Sequence, residues 1–133
     1  MGINGFYSAL LAIDIVVVVI ASLLPGNNQV VGDLDKVGHL VMYASLAFFV
    51  CLNFPENKKR VVALILGIVL GALMEIIQSF IPGRSASMFD QIANTAGILA
   101  GTVLFYVVGN RIDLVLSRLL KAKYVDASKV DEG

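Results

Sequence analysis

Three short stretches of this chain hold the side chains whose types could do chemistry: Asp35, Lys36, His39 and Tyr43; then Glu75 and Gln78; then Arg84, Asp90 and Asn94. A neutral imidazole exchanges protons with a carboxylate near neutral pH, so His39 with Glu75 or Asp90 is an acid–base pair in principle. The same three residues offer one nitrogen and two carboxylates to a divalent ion. Arg84 and Lys36 suit an anionic phosphate instead, the arginine through paired hydrogen bonds. No His-x-x-x-His spacing occurs, and no Ser-His-Asp or Cys-His arrangement is legible, so the sequence establishes no catalytic residue, metal or cofactor. If catalysis or metal binding occurs, His39, Glu75 and Asp90 are its candidates.

The elements that must position these residues are apolar. Of the 133 residues, 58% are hydrophobic and 15% charged, against roughly 25% charged in a soluble domain; the mean hydropathy is +0.86. Apolar runs from Phe6 to Leu24, Val37 to Phe54, Val61 to Ile81 and Ile92 to Val108 are each roughly 17 to 21 residues long, enough to cross a bilayer as a helix. Open strands would leave backbone groups unpaired in lipid, and so few segments cannot close a membrane barrel. Pro25, Pro55 and Pro82 stand at or just past the ends of the first three runs, where a helix stops without losing an interior bond. The fold class is therefore all-α, a bundle of four transmembrane helices occupying residues 1–109, followed by a polar segment over 110–133. A net charge of zero gives no field that would attract nucleic acid, and the single Cys51 cannot form an intrachain disulfide.

Lys58, Lys59 and Arg60 in the middle loop, and Arg111, Arg118, Lys121, Lys123 and Lys129 in the tail, outnumber the lone Lys36 and Arg84 of the other two loops. The positive-inside rule then places both termini in the cytoplasm, N-in and C-in. The first run also has the look of a signal peptide near Ala21 and Leu23, but no Lys or Arg precedes Phe6 and Asp14 interrupts it, which favours a retained span. Asp14 reads as an acid that hydrogen-bonds a neighbouring helix. Alternating apolar and charged residues from Arg111 to Lys123 predict an amphipathic helix on the inner leaflet, with a plain extension of the last span as the alternative.

At about 1.5 Å of rise per residue, Tyr43 and Glu75 come out roughly 9 Å inside the outer boundary, and His39, Gln78 and Asn94 roughly 3 to 5 Å inside it. At about 100° per residue, Asp90, Asn94, Gly97 and Gly101 share one face of their helix, as do Gly67, Gly71, Glu75 and Gln78 on theirs. Polar and glycine stripes on common faces predict that those faces look into the bundle. Ionisable groups in hydrocarbon cost roughly 2.5 to 3.5 kcal/mol each on insertion scales, so groups gathered at one depth must satisfy one another or line a shared pocket.

The string Asp35-Lys36-x-x-His39-x-x-x-Tyr43, then Glu75-x-x-Gln78, then Pro82-Gly83-Arg84 and Asp90-x-x-x-Asn94-x-x-Gly97, resembles the VanZ-like family of bacterial membrane proteins. The resemblance covers about Pro25 to Gly101 and departs at no motif position; Asp14 lies outside it. It implies a small multi-pass protein of the bacterial cytoplasmic membrane, in a family whose name-giving member is tied to low-level resistance to the glycopeptide teicoplanin. It implies no mechanism.

Three readings of the cluster follow. In the first, Asp35, Lys36, His39, Tyr43, Glu75, Gln78, Arg84, Asp90 and Asn94 bind an amphiphile of the cell envelope at the outer leaflet: a lipid headgroup, a lipid-linked precursor or a lipoglycopeptide. In the second, His39, Glu75 and Asp90 serve a membrane-embedded enzyme. In the third, Arg84 with Asp90 or Glu75, and His39 with Gln78 or Asn94, are ties between helix ends. The partners expected are membrane lipids or such an amphiphile, no nucleic acid, and a second copy through lipid-facing surfaces, which no residue decides.

Overall fold

A computed structural model describes residues 3–24, 32–109, 111, 114, 115 and 118. Its elements are α1 (Ile3–Leu23), α2 (Gly32–Asn53), α3 (Asn57–Gln78) and α4 (Met88–Leu104), and α4 runs on into a single π-helical turn, Phe105–Gly109. No strand occurs among the described residues. Each of the four helices is long and apolar enough to cross a membrane.

Helices α2, α3 and α4 begin about one turn before their apolar runs do. The first turns, Gly32–Lys36, Asn57–Arg60 and Met88–Gln91, are polar or mixed, so hydropathy undercounts them, although Ser87 caps α4 by accepting the Asp90 N–H (3.3 Å). At the far end of α3, the chain turns at Ile81–Arg84, where the Arg84 N–H donates to the Ile81 carbonyl (3.0 Å) and Gly83 takes φ 84°. Proline second and a positive-φ glycine third is the pattern of a type II turn.

Helix α2 is the hub, touching α1, α3 and α4, and its most extensive contact is with α4. Two glycines permit that closeness. A methyl group added at Gly101 would overlap the backbone carbonyl of Ala44, and one at Gly97 would overlap that of Leu40. The small-residue spacing of α4 thus serves helix approach. The core consists of Val18, Tyr43, Leu46, Ala47, Val50 and Ile98. Ile13, Val17, Ile65, Val69, Leu73, Leu99 and Val103 point outward, the all-round apolar character that lipid requires.

The faces expected to look inward do so. On α3, Gly67, Gly71, Glu75 and Gln78 are buried, together with Arg60 and Met74. On α4, Asp90, Asn94, Gly97 and Gly101 are buried, with Ala93 and Ile98 between them. The amphipathic segment expected after Gly109 lies almost wholly outside the described residues.

Candidate functional site

The ends of α1 and α3 and the beginnings of α2 and α4 meet at one end of the bundle, and all nine of the chemistry-bearing residues lie there. Their burial differs. His39, Tyr43, Glu75, Gln78, Asp90 and Asn94 are buried, while the Asp35 side chain is 35% exposed and that of Arg84 only 10%.

Arg84 and Gln78 close the end of α1. The last carbonyls of a helix lack intrahelical donors and carry the negative end of its dipole. Gln78 Nε2 donates to the Ser22 carbonyl (2.7 Å), and Arg84 Nη1 donates to those of Ser22 (3.0 Å) and Leu24 (2.8 Å). Arg84 Nη2 meets both oxygens of Asp35, each at 3.2 Å. The expected pairing of Arg84 with Asp90 or Glu75 is therefore replaced by one with Asp35 and two backbone carbonyls. Both terminal nitrogens of the guanidinium thus have partners inside the protein. Lys36 holds its ammonium 5.7 Å from the centre of the Phe89 ring, a cation–π distance.

His39 pairs with Asn94 rather than Gln78: its Nδ1 lies 2.9 Å from Asn94 Oδ1. In the tautomer whose Nδ1 donates to this oxygen, Nε2 is left as an acceptor. Nε2 lies 3.9 Å from Asp35 Oδ1, and ligand atoms of Asp35, His39 and Asp90 all fall within 4.8 Å of one another. The sequence grouped His39 and Asp90 with Glu75; the structure puts Asp35 in that place, because it stands one turn before His39 on α2. Glu75 lies alongside, within electrostatic reach of Asp90, His39 and Arg84. One of its oxygens accepts the Ser87 N–H (3.0 Å), which ties the end of α3 to the cap of α4.

Several polar atoms buried at this end have no hydrogen-bond partner among the described residues, namely Glu75 Oε1, Gln91 Oε1 and Asn94 Nδ2, while the Tyr43 and Ser22 hydroxyls share a hydrogen bond. Three of the side chains surround Gly71, where an added methyl would lie 3.1 Å from Asn94 Nδ2, 3.2 Å from Gln91 Oε1 and 3.3 Å from the Tyr43 ring. An unsatisfied buried polar group costs about 1 to 3 kcal/mol, so a cluster built only to tie helix ends would leave few of them. Such an arrangement can accept and donate hydrogen bonds to a polar group that enters between α2, α3 and α4.

Ser22 and Gln91 were not foreseen. Ser22 is a small hydroxyl in the last turn of an apolar helix, and Gln91 lies one turn before Asn94; matching their depth to that of Tyr43 would have brought both forward. The other half of the bundle also holds paired polar groups. Asp14 accepts from Ser45 Oγ (2.8 Å), as expected of an acid that bonds a neighbouring helix. Beyond it, Asn53 links α2 to α1 through Ser8 and the Tyr7 carbonyl. Arg60, read from sequence only as a loop charge, is buried there.

A family model described as VanZ/LLP1 matches residues 5–109. No curated protein and no solved structure matches the chain.

Proposed function

Because the chain belongs to the VanZ/LLP1 family, whose model runs from the first turns of α1 to the end of the π turn, we propose that it is a membrane protein that binds an amphiphile of the cell envelope at its polar end. The observation that carries this reading is the pair of unpartnered buried atoms beside Gly71, Asn94 Nδ2 and Gln91 Oε1, with an unpartnered oxygen of Glu75 one turn along the same helix. Buried polar atoms without partners among the described residues are what a headgroup entering from the surface would satisfy.

A second feature accommodates the apolar part of such a molecule. Below the polar layer an apolar groove runs between α1 and α3 over α2, lined by Leu11, Ile15, Leu46, Val50, Leu66 and Leu70. One acyl chain fits a groove of this character. Candidate amphiphiles are phospholipids, lipid-linked precursors and lipoglycopeptides of the teicoplanin type, so expression in a bacterial host is expected to raise resistance to such drugs. Arg84 and Gln78 shape the site by holding α1 in place rather than by gripping the ligand.

The charge distribution favours an orientation with this end at the outer leaflet of the bacterial cytoplasmic membrane and both termini in the cytoplasm. A C-terminal reporter fusion is expected to signal from the cytoplasm; a signal from outside overturns the orientation. For the site itself, purified protein in detergent is titrated with phosphatidylglycerol or a lipoglycopeptide and bound ligand is counted by native mass spectrometry. Tyr43→Phe combined with Glu75→Gln is expected to weaken binding about tenfold, some 1.4 kcal/mol. Unchanged binding by the folded variant overturns the proposal.

A further inference from the structure

The same end of the bundle carries more negative charge than its cations neutralise. Asp35, Glu75 and Asp90 share this end with the guanidinium of Arg84, which bonds only Asp35 among them, and with the ammonium of Lys36. Asp90 is 7% exposed, and its carboxylate makes no hydrogen bond to any described residue. Glu75 is equally enclosed, at 6%, and one of its oxygens is unpartnered. Two buried carboxylates without a hydrogen-bonded cation among the described residues are costly at the edge of hydrocarbon. The His39 ring sits beside them, its Nε2 3.9 Å from Asp35 Oδ1 and its Nδ1 2.9 Å from Asn94 Oδ1.

We infer that Asp35, His39 and Asp90 form a site for a divalent transition-metal ion. One imidazole nitrogen with two or three carboxylate oxygens is a donor set for zinc or manganese. A ligating histidine characteristically gives its other N–H to an acceptor that fixes the ring, and Asn94 Oδ1 does this here. Ligands at about 2.1 Å from a tetrahedral ion stand about 3.4 Å apart. The three donor atoms, all within 4.8 Å of one another, therefore need to draw in by about 1.4 Å at most. The partly exposed Asp35 can supply that movement, since its carboxylate can bridge the ion and Arg84. A dipositive ion cancels the two uncompensated charges. It also gives the site the positive centre for an anionic headgroup that Arg84, committed to α1 and Asp35, does not offer. The inference goes beyond amphiphile binding and can fail independently of it.

Protein stripped with a chelator is dialysed against micromolar zinc or manganese, and the bound metal is measured by elemental analysis. About one ion per chain is expected, accompanied by a rise in melting temperature. Asp90→Asn and His39→Ala are each expected to abolish both. Asp90→Asn removes an uncompensated buried charge and is expected to fold, so its result stands even if His39→Ala does not fold. Asn94→Ala is expected to weaken metal binding by about tenfold or more. Wild-type protein that retains no ion overturns the inference, as does folded Asp90→Asn that retains one with undiminished affinity. Phosphatidylglycerol binding measured with chelator present separates the two proposals. Lipid uptake without metal uptake sinks the metal site and leaves amphiphile binding standing, and metal uptake without lipid uptake does the reverse.

Discussion

Where α2 ends and α3 begins, Arg60 is buried and its guanidinium is fully used: Nε donates to the Phe54 carbonyl (3.0 Å), Nη2 to that of Pro55 (3.3 Å) and Nη1 to the Tyr106 hydroxyl (2.9 Å). The rings of Phe105 and Tyr106 lie 5.1 and 5.6 Å from its central carbon. At the opposite end of the bundle, Glu75, Asn94 and Gln91 each keep a buried atom without a partner among the described residues. The same low-dielectric surroundings act on both ends, so the contrast separates two uses of polarity. Polar groups that complete one another fasten helices, whereas polar groups left incomplete are what the proposed ligand would satisfy.

The comparison can be broken by experiment, most forcefully at the satisfied end. Arg60→Ala should lower stability by about 2 to 3 kcal/mol, from three hydrogen bonds and the ring contacts, in denaturant titrations in detergent. Lipid binding by the fraction still folded should be unchanged. A loss of affinity matching the loss of stability would show that the two ends are not separable. Next in size is Gly101→Ala, whose methyl has nowhere to go against the Ala44 carbonyl. It should cost about 2 kcal/mol by prising α4 from α2.

At the incomplete end the order of effects reverses. Gly71→Ala places a methyl among Asn94, Gln91 and Tyr43 in contacts of 3.1 to 3.3 Å that side chains can relieve. It should change stability by less than about 1 kcal/mol while weakening phosphatidylglycerol binding about tenfold. Tyr43→Phe removes one hydrogen bond to Ser22 and should lower stability by less than about 1 kcal/mol. A loss several times larger would mean that this hydroxyl fastens helices as Arg60 does. The smallest effect is expected from Ser45→Ala, which removes one hydrogen bond to Asp14 midway between the ends, at about 0.6 kcal/mol.

Much of this arrangement was legible along the chain. Asp35, His39 and Tyr43 recur every fourth residue, and the glycines of α3 and α4 extend the stripes that hold Glu75, Gln78, Asp90 and Asn94, so the buried faces and their shared depth could be read directly. The partners could not. Arg84 was matched with Asp90 or Glu75, and instead reaches Asp35 and backbone carbonyls of α1, which no spacing of side chains advertises. Arg60 was counted among loop charges because it belongs to a basic run with Lys58 and Lys59, yet its side chain folds back under the π turn.

The sequence by itself determined that there are four apolar helices, which face of α3 and of α4 turns inward, and that the costly polar groups gather at one end. These follow from helical periodicity and the expense of polarity in hydrocarbon, both local properties of the chain. Only the tertiary structure decided that Asp35 rather than Glu75 completes the cluster with His39 and Asp90, that Arg84 and Gln78 cap α1, and which buried atoms remain unpaired. Those outcomes depend on how far long side chains must reach between helices. Differences of an ångström or two, set by close contacts such as Gly101 against Ala44, choose among acceptors that the sequence presents as equals.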